Sequence, residues 1–216
     1  MSEWNRVKLQ DVLKESRLPL ENDDKSKRLT VLLHTRGIVR RGVRTTDKVG
    51  ATNYFARKKG QLIYGKQNLH NGALGIIPDH LDGYSSSQDI PSFDCDQAKV
   101  DVRFIFYYLS RYSFYKELER FAKGTGSKRI HPKDLLQLSI KMPALPEQKK
   151  ITKILCSVDR VIDLTKAEIE KLKNLKKGMM HDLFTKGVGQ TDFKDSPVGA
   201  IPESWVCGRF SESFEL

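Results

Sequence analysis

Three polar stretches carry the side chains most able to do chemistry. The first is Arg36-Gly37-Ile38-Val39-Arg40-Arg41-Gly42-Val43-Arg44-Thr45-Thr46. Glycine lets a backbone approach a ligand closely, and arginine grips a phosphate or reads guanine O6 and N7 with two parallel hydrogen bonds. Arg36, Arg40, Arg41, Arg44 and Thr45 are therefore candidate DNA contacts. The second is Lys66-Gln67-Asn68-Leu69-His70-Asn71-Gly72, where Gln67 and Asn68 could pair with adenine N6 and N7 beside the cation Lys66. The third is Lys123-Gly124-Thr125-Gly126-Ser127-Lys128-Arg129. Small residues, a hydroxyl and cations make a clamp for backbone phosphate, with Lys123, Ser127, Lys128 and Arg129 as its donors. The plain alternative for each stretch is a solvated polar turn.

No catalytic constellation accompanies them. Gly60-Gln61-Leu62-Ile63-Tyr64-Gly65-Lys66 spells most of a phosphate-binding loop, but Gln67 stands where the magnesium-holding hydroxyl belongs. Gly124-Thr125-Gly126 lacks the third glycine of a dinucleotide fingerprint. Pro78-Asp79 with Glu147-Gln148-Lys149 imitates a nuclease acid–lysine set, yet Glu147 is better used at a helix start. The five histidines show no metal-ligand spacing. Nucleophile elbows and the Asn/Asp-Pro-Pro-aromatic signature of adenine methyltransferases are absent as well. The chain reads as non-enzymatic, without cofactor or metal.

The composition agrees. A net charge of +11 over 216 residues, with a pI near 9.5 and a mean hydropathy of −0.50, favours polyanionic partners and excludes an acidic DNA mimic. Cys95, Cys156 and Cys207 are odd in number and far apart, as expected of a reduced, cytoplasmic chain. The N-terminal stretch lacks a signal peptide's apolar region, and no run approaches membrane-spanning length.

The elements that must position these loops form an α+β globule over residues 1–142. Residues 1–20 read as a lead-in anchored by Trp4, Val7, Leu9, Val12 and Leu13, and residues 20–29 as a polar loop. A buried strand is expected to end near His34, followed by a loop through the arginines. Gly60 to Lys66 forms another strand, and short strands broken by turns fill residues 72–96. Residues 100–124 form a helix, with Phe104, Tyr107, Tyr108, Tyr115, Leu118 and Phe121 near helical spacing. His131 to Leu138 make a short helix with Pro132 at its start, and residues 140–146 an extended bridge.

A long helix follows, within a second segment over residues 143–187. Positions 151, 155, 158, 162, 165, 169, 172, 176, 179 and 183 step by four and three, and eight of the ten are apolar: Ile151, Leu155, Val158, Ile162, Ile169, Leu172, Met179 and Leu183. In a chain that is 38% hydrophobic, this is a heptad seam. Pro146 suits the first turn, while Lys186 and Gly187 make a stop. A rod of roughly 60 Å with so narrow a stripe requires a partner helix. Residues 188–216, rich in Gly, Pro and Ser, read as a linker.

Met142-Pro143-Ala144-Leu145-Pro146-Glu147-Gln148-Lys149-Lys150-Ile151-Thr152-Lys153-Ile154-Leu155 and the following Val158-to-Gly187 run, preceded by Gly124 to Ile140, resemble the spacer helix of type I restriction–modification specificity subunits. That family alternates two variable target-recognition domains with two such helices. The resemblance implies a non-catalytic reader of double-stranded DNA that assembles with methyltransferase subunits and, through them, a restriction subunit. In the family the two helices pair antiparallel and set the spacing of two DNA half-sites. Glu203-Ser204-Trp205, then Arg209, Phe210 and Glu212, echoes Ser2-Glu3-Trp4, then Lys8, Leu9 and Asp11. The echo reads as the truncated start of a second repeat, so the chain resembles the half-length form, although Val206 onward departs from the family pattern. One helix per chain implies a homodimer and an inverted-repeat target with an unread spacer. Two competing classes stay open. A stand-alone nuclease would turn over DNA with a metal ion, and a coiled-coil regulator would be a helical oligomer with salt-insensitive partners and no DNA affinity.

Overall fold

The computed structural model describes residues 4–20, 24–43, 52–124 and 128–208. Arg44, Thr45 and Ser127 lie outside the described residues, as do Ser2, Glu3, Arg209, Phe210 and Glu212. Backbone contacts divide the chain into two compact units, Met1–Leu155 and Cys156–Leu216.

The first unit is built on a four-stranded antiparallel sheet. Its strands are β2 (Leu13–Ser16), β6 (Leu62–Tyr64), β7 (Leu74–Ile76) and β9 (Ser92–Cys95), ordered β2-β9-β6-β7. The central strand β6 is buried on both faces, as its unbroken apolar run predicts. Alternation of side chains sends Leu62 and Tyr64 into one core and Ile63 into another. The larger core holds Leu9, Leu69, Phe93, Phe104, Ile105 and Leu135, and the smaller one Leu29, Ile38, Ile77 and Leu81. Each such side chain contributes about 1.5–3 kcal/mol by leaving water. Gly75 is required in β7, because a Cβ there would lie 2.9 Å from Ile38 Cγ1.

Around this sheet lie three two-stranded pairs. The lead-in is not loose: β1 (Asn5–Lys8) pairs with β10 (Ser139–Met142), which is the bridge before the long helix, with Val7 opposite Ile140. The arginine stretch is not all loop either. β3 (Leu29–Val31) ends before His34 and pairs with β4 (Ile38–Arg40) in a hairpin. β5 (Tyr54–Ala56) pairs with β8 (Ser85–Ser87). Alternation in residues 29–40 is poor because one strand's worth of β-branched residues is split between two short strands.

The expected single helix over residues 100–124 is broken. α1 (Val102–Leu109) is capped by Asp101, which accepts a 2.9 Å bond from the Arg103 N–H. Arg111 is extended at ψ 127 and starts α2 (Tyr112–Glu117). Its guanidinium lies 4.0 Å above the Tyr108 ring and donates to the Tyr108 carbonyl, which holds the break. α3 (Pro132–Leu136) has proline at its first position.

α4 (Leu145–Lys186) runs 42 residues, roughly 60 Å at 1.5 Å per residue. Its first turns are tied to the globule of the first unit. Gln148, 1% exposed, accepts from the Asp101 N–H at 3.0 Å and donates to the carbonyls of Pro143 and Lys99. The Thr152 hydroxyl donates to Asp101 Oδ2 at 2.9 Å, and Trp4 Nε1 to Glu147 Oε1 at 3.2 Å.

In the second unit α4 continues to Gly187, which sits at φ +70 and donates its N–H to the Leu183 carbonyl. Where the sequence reads as a linker, β11 (Phe193–Ser196) and β12 (Gly199–Pro202) form a hairpin. Ser196 closes the turn by donating to the Gly199 carbonyl at 2.6 Å. The Gly, Pro and Ser of this stretch are turn residues rather than spacers. A Cβ on Gly187 would come within 3.3 Å of the Trp205 ring, so Trp205 packs at the helix end.

Candidate nucleic-acid interface

The Lys66–Gly72 stretch folds as a 3-10 turn, Leu69–Asn71, closed by Gly72 at φ +71. Leu69 is fully buried and roots the turn in the larger core, leaving Gln67 and Asn68 exposed on its outside. Asn71 ties the turn together: its Nδ2 donates to Asn68 Oδ1 at 3.5 Å, and its Oδ1 accepts from Lys116 Nζ at 3.3 Å. Lys66 is half-buried. Burial lowers its pKa, against the pull of Asp89, so its charge is less heavily solvated than that of a surface lysine.

The β3–β4 hairpin docks on this turn. His34 and Thr35 occupy the two central positions of its tip at φ 57 and 53, and Arg36 N–H closes on the Leu33 carbonyl at 3.3 Å. That is the signature of a type I′ turn, which favours Asn-Gly. His34 N–H donates to the Asn71 carbonyl at 2.9 Å and Thr35 N–H to the Gly72 carbonyl at 2.8 Å. The hairpin that carries Arg36 is thereby docked on the turn that follows Gln67 and Asn68, and Arg36 Nε donates to the Leu33 carbonyl. Arg40 and Arg41 sit at the other end of the hairpin. Arg40 Nε donates to the Ser26 carbonyl at 2.8 Å, and Arg41 N–H to the Arg28 carbonyl at 2.7 Å.

The third stretch joins from the other side. Lys123 and Arg129 pair across their backbones, and Ile130 N–H donates to the Lys66 carbonyl at 2.9 Å. Its cations are engaged: Lys123 Nζ lies 2.7 Å from Asp134, Lys128 Nζ 3.7 Å from Glu119, and Arg129 3.6 Å from Asp89. A phosphate at this loop has to compete with carboxylates, which weakens it as a clamp.

Sequence reasoning missed two arginines. Arg57, 1% exposed, donates to Ser86 and Ser92 hydroxyls and to the Ser16 and Ile90 carbonyls at 2.7–3.1 Å. Burial pushes its pKa down to about 10, with Glu15 and Asp94 raising it, so it stays charged at neutral pH. Arg28 lies 3.7 Å over the Tyr54 ring and donates to its hydroxyl. Both clamp β5 and β8 to their neighbours. A lone arginine inside Tyr54-Phe55-Ala56-Arg57 has no sequence signal separating it from surface charge. Above Arg57 opens a polar cleft of about 120 Å³ lined by Arg17, Asn53, Lys66 and Gln88 among others. Among the described residues no group of three or more His, Cys, Asp or Glu is placed to hold a metal ion.

Along α4 the predicted seam is open beyond its root. Val158, Ile162, Ile169, Leu172, Met179 and Leu183 are 44–57% exposed, and Leu155 37%. Ile151 is half-buried against the larger core of the first unit. Thr165, a polar member of the seam, turns its hydroxyl back onto the Val161 carbonyl at 2.9 Å. Ile154, Val161 and Leu175 widen the apolar surface to one side. No helix among the described residues is long and apolar enough to cross a membrane.

A family model, the type I restriction modification DNA specificity domain, matches residues 1–174. The chain is 40% identical over 119 residues to the type I restriction enzyme MjaVIII specificity subunit of Methanocaldococcus jannaschii, covering 54% of this chain and 27% of that protein. Its fold is similar to that of the type I restriction-modification S subunit from M. genitalium, with a TM-score of 0.58 and 19% identity over 85% of this chain and 46% of that one. The HsdS subunit from Thermoanaerobacter tengcongensis gives 0.54 and 18%, over 84% and 48%. The chain thus spans about a quarter of the curated relative's length and about half of each solved chain.

Proposed function

Because this chain belongs to the type I restriction modification DNA specificity family, we propose that its globule reads one half-site in double-stranded DNA and that α4 builds the assembly around it. The observation that carries this reading is the family match across residues 1–174, which takes in the globule and much of the helix. The net charge of +11 supports it. So does the docking of the hairpin that carries Arg36 on the turn that follows Lys66, Gln67 and Asn68. Arg40 and Arg41 extend the surface along β4, and Lys123, Lys128 and Arg129 border it as phosphate contacts. The chain performs no chemistry itself. It recruits methyltransferase subunits and, through them, a restriction subunit, in the cytoplasm.

The exposed seam takes an antiparallel helix, which we read as that of a second copy. In the symmetric register Ile151 meets Leu183, Leu155 meets Met179, Ile162 meets Leu172, and Thr165 meets Ile169. Only Val158 faces a charged residue, Lys176. A two-helix seam leaves Ile154, Val161 and Leu175 to one side, and these suit helices supplied by methyltransferase subunits.

The test is binding of the full chain to a randomised duplex library, alone and with type I modification subunits, at several salt concentrations. The reading requires an enriched motif, with affinity falling steeply with salt. Cleavage or methylation by the chain alone would overturn it, as would affinity that ignores salt.

A further inference from the structure

We propose that the hairpin tip His34-Thr35-Arg36, backed by the Leu69–Asn71 turn, is a base-reading element held in a strained form for that purpose. The inference rests on the DNA-reading function proposed above and names a part of the surface that carries it.

Two residues in succession at positive φ are the starting observation. His34 and Thr35, at φ 57 and 53, are the only non-glycine residues in that region among the described residues. A β-branched side chain there is a genuine outlier, because its Cβ crowds its own backbone. The same turn would form without strain from Asn-Gly. Glycine is used where this corner needs it for space: Gly72, at φ +71, faces His34, and a Cβ on it would lie 3.2 Å from His34 Cα. The chain thus has glycine beside the tip and larger, functional side chains on it.

Tertiary bonds hold the strain. The two N–H groups at the tip donate to the carbonyls of Asn71 and Gly72, and Leu32 N–H to the Gly37 carbonyl at 2.9 Å below them. Strain that surrounding structure over-determines is a mark of functional sites rather than of loose turns.

The chemistry displayed is that of base edges. His34 and Arg36 are exposed and Thr35 half-exposed. The Thr35 hydroxyl donates to the His34 carbonyl at 2.8 Å, so its oxygen keeps acceptor capacity beside the γ-methyl. Imidazole, hydroxyl with methyl, and guanidinium cover guanine, adenine and the thymine methyl. A two-stranded ribbon is narrow enough for the major groove.

The experiment compares the full-length wild type with the double variant His34→Asn/Thr35→Gly, which keeps the turn type and removes its strain. Thermal melting should rise by several degrees. In selection from a randomised duplex library the enriched motif should change at one or two positions. Affinity for the wild-type motif relative to a scrambled duplex should fall at least about tenfold. The same motif, enriched to the same degree by both proteins, would overturn the proposal and leave the tip a structural turn. If the wild type enriches no motif, the DNA-reading function itself fails and the proposal falls with it. Should the double variant lose its fold, Thr35→Asn repeats the test with a residue that tolerates the left-handed region. An unaltered motif there also overturns the proposal.

Discussion

The root of α4 and the rest of its length obey different rules. Within the first unit the helix is anchored by polar side chains: Gln148 and Thr152 are buried and hydrogen-bonded to Asp101, and Gln148 also to the Pro143 carbonyl. Beyond Leu155 the pattern inverts, with apolar side chains exposed and short-range ion pairs such as Glu170–Lys173 and Asp182–Lys186 along the helix. Local ion pairs of this kind stabilise a helix by only a few tenths of a kcal/mol each. The root is therefore a finished junction, whereas the shaft is an exposed apolar surface.

The strongest way to break that contrast is to charge the shaft. Replacing Leu155, Ile162 and Ile169 together by Asp should convert an associated protein to monomers or aggregates, read by sedimentation. An unchanged sedimentation profile would mean that the seam is not an interface. DNA binding by the globule should survive better than association does.

At the root the opposite change applies. Gln148→Leu removes one acceptor and two donated bonds from a buried site and leaves the Asp101 N–H without its partner. A loss of about 1–3 kcal/mol is expected, measured by urea unfolding, with no effect on association beyond that due to stability. Arg57→Met should cost a similar amount or more, because the Ser16 and Ile90 carbonyls lose a charged donor.

In the globule, Arg40→Ala and Arg44→Ala test base reading. Either should relax specificity at one position and cost about 1–3 kcal/mol of binding, with sedimentation unchanged. Lys128→Ala should weaken all duplexes alike and by less, since its ammonium group already faces Glu119 at 3.7 Å.

The smallest effect is at the far end of the shaft. Lys186 bonds to Asp182 and holds its carboxyl below the ordinary value of 3.8. A depressed carboxylate stabilises the fold above its unfolded pKa and loses that contribution as pH falls through its folded one. Helical circular dichroism should therefore fall slightly only below the ordinary carboxylate range, and Asp182→Asn should abolish that pH dependence.

Legibility divided along the same lines as stability. The long helix, the buried strand β6 and the short helix α3 were readable in the sequence, because each is dictated by residues within a few positions of one another: heptad spacing, a continuous apolar run, a proline at the first turn. The resemblance to specificity subunits lay in the same local stretches. Tertiary structure alone decided that Asn5 would pair with Met142, turning a lead-in and a bridge into one sheet. It also decided that Arg57 would be internal and Arg36 external, since neither charge carries a local signal for burial. The bond from Thr35 to Gly72 brought two of the three polar stretches together, and the Lys66 carbonyl joined the third. Spacing encodes which face of an element is apolar. It does not encode which distant element covers that face, because the pairing is chosen by the whole core at once and local periodicity carries no term for it.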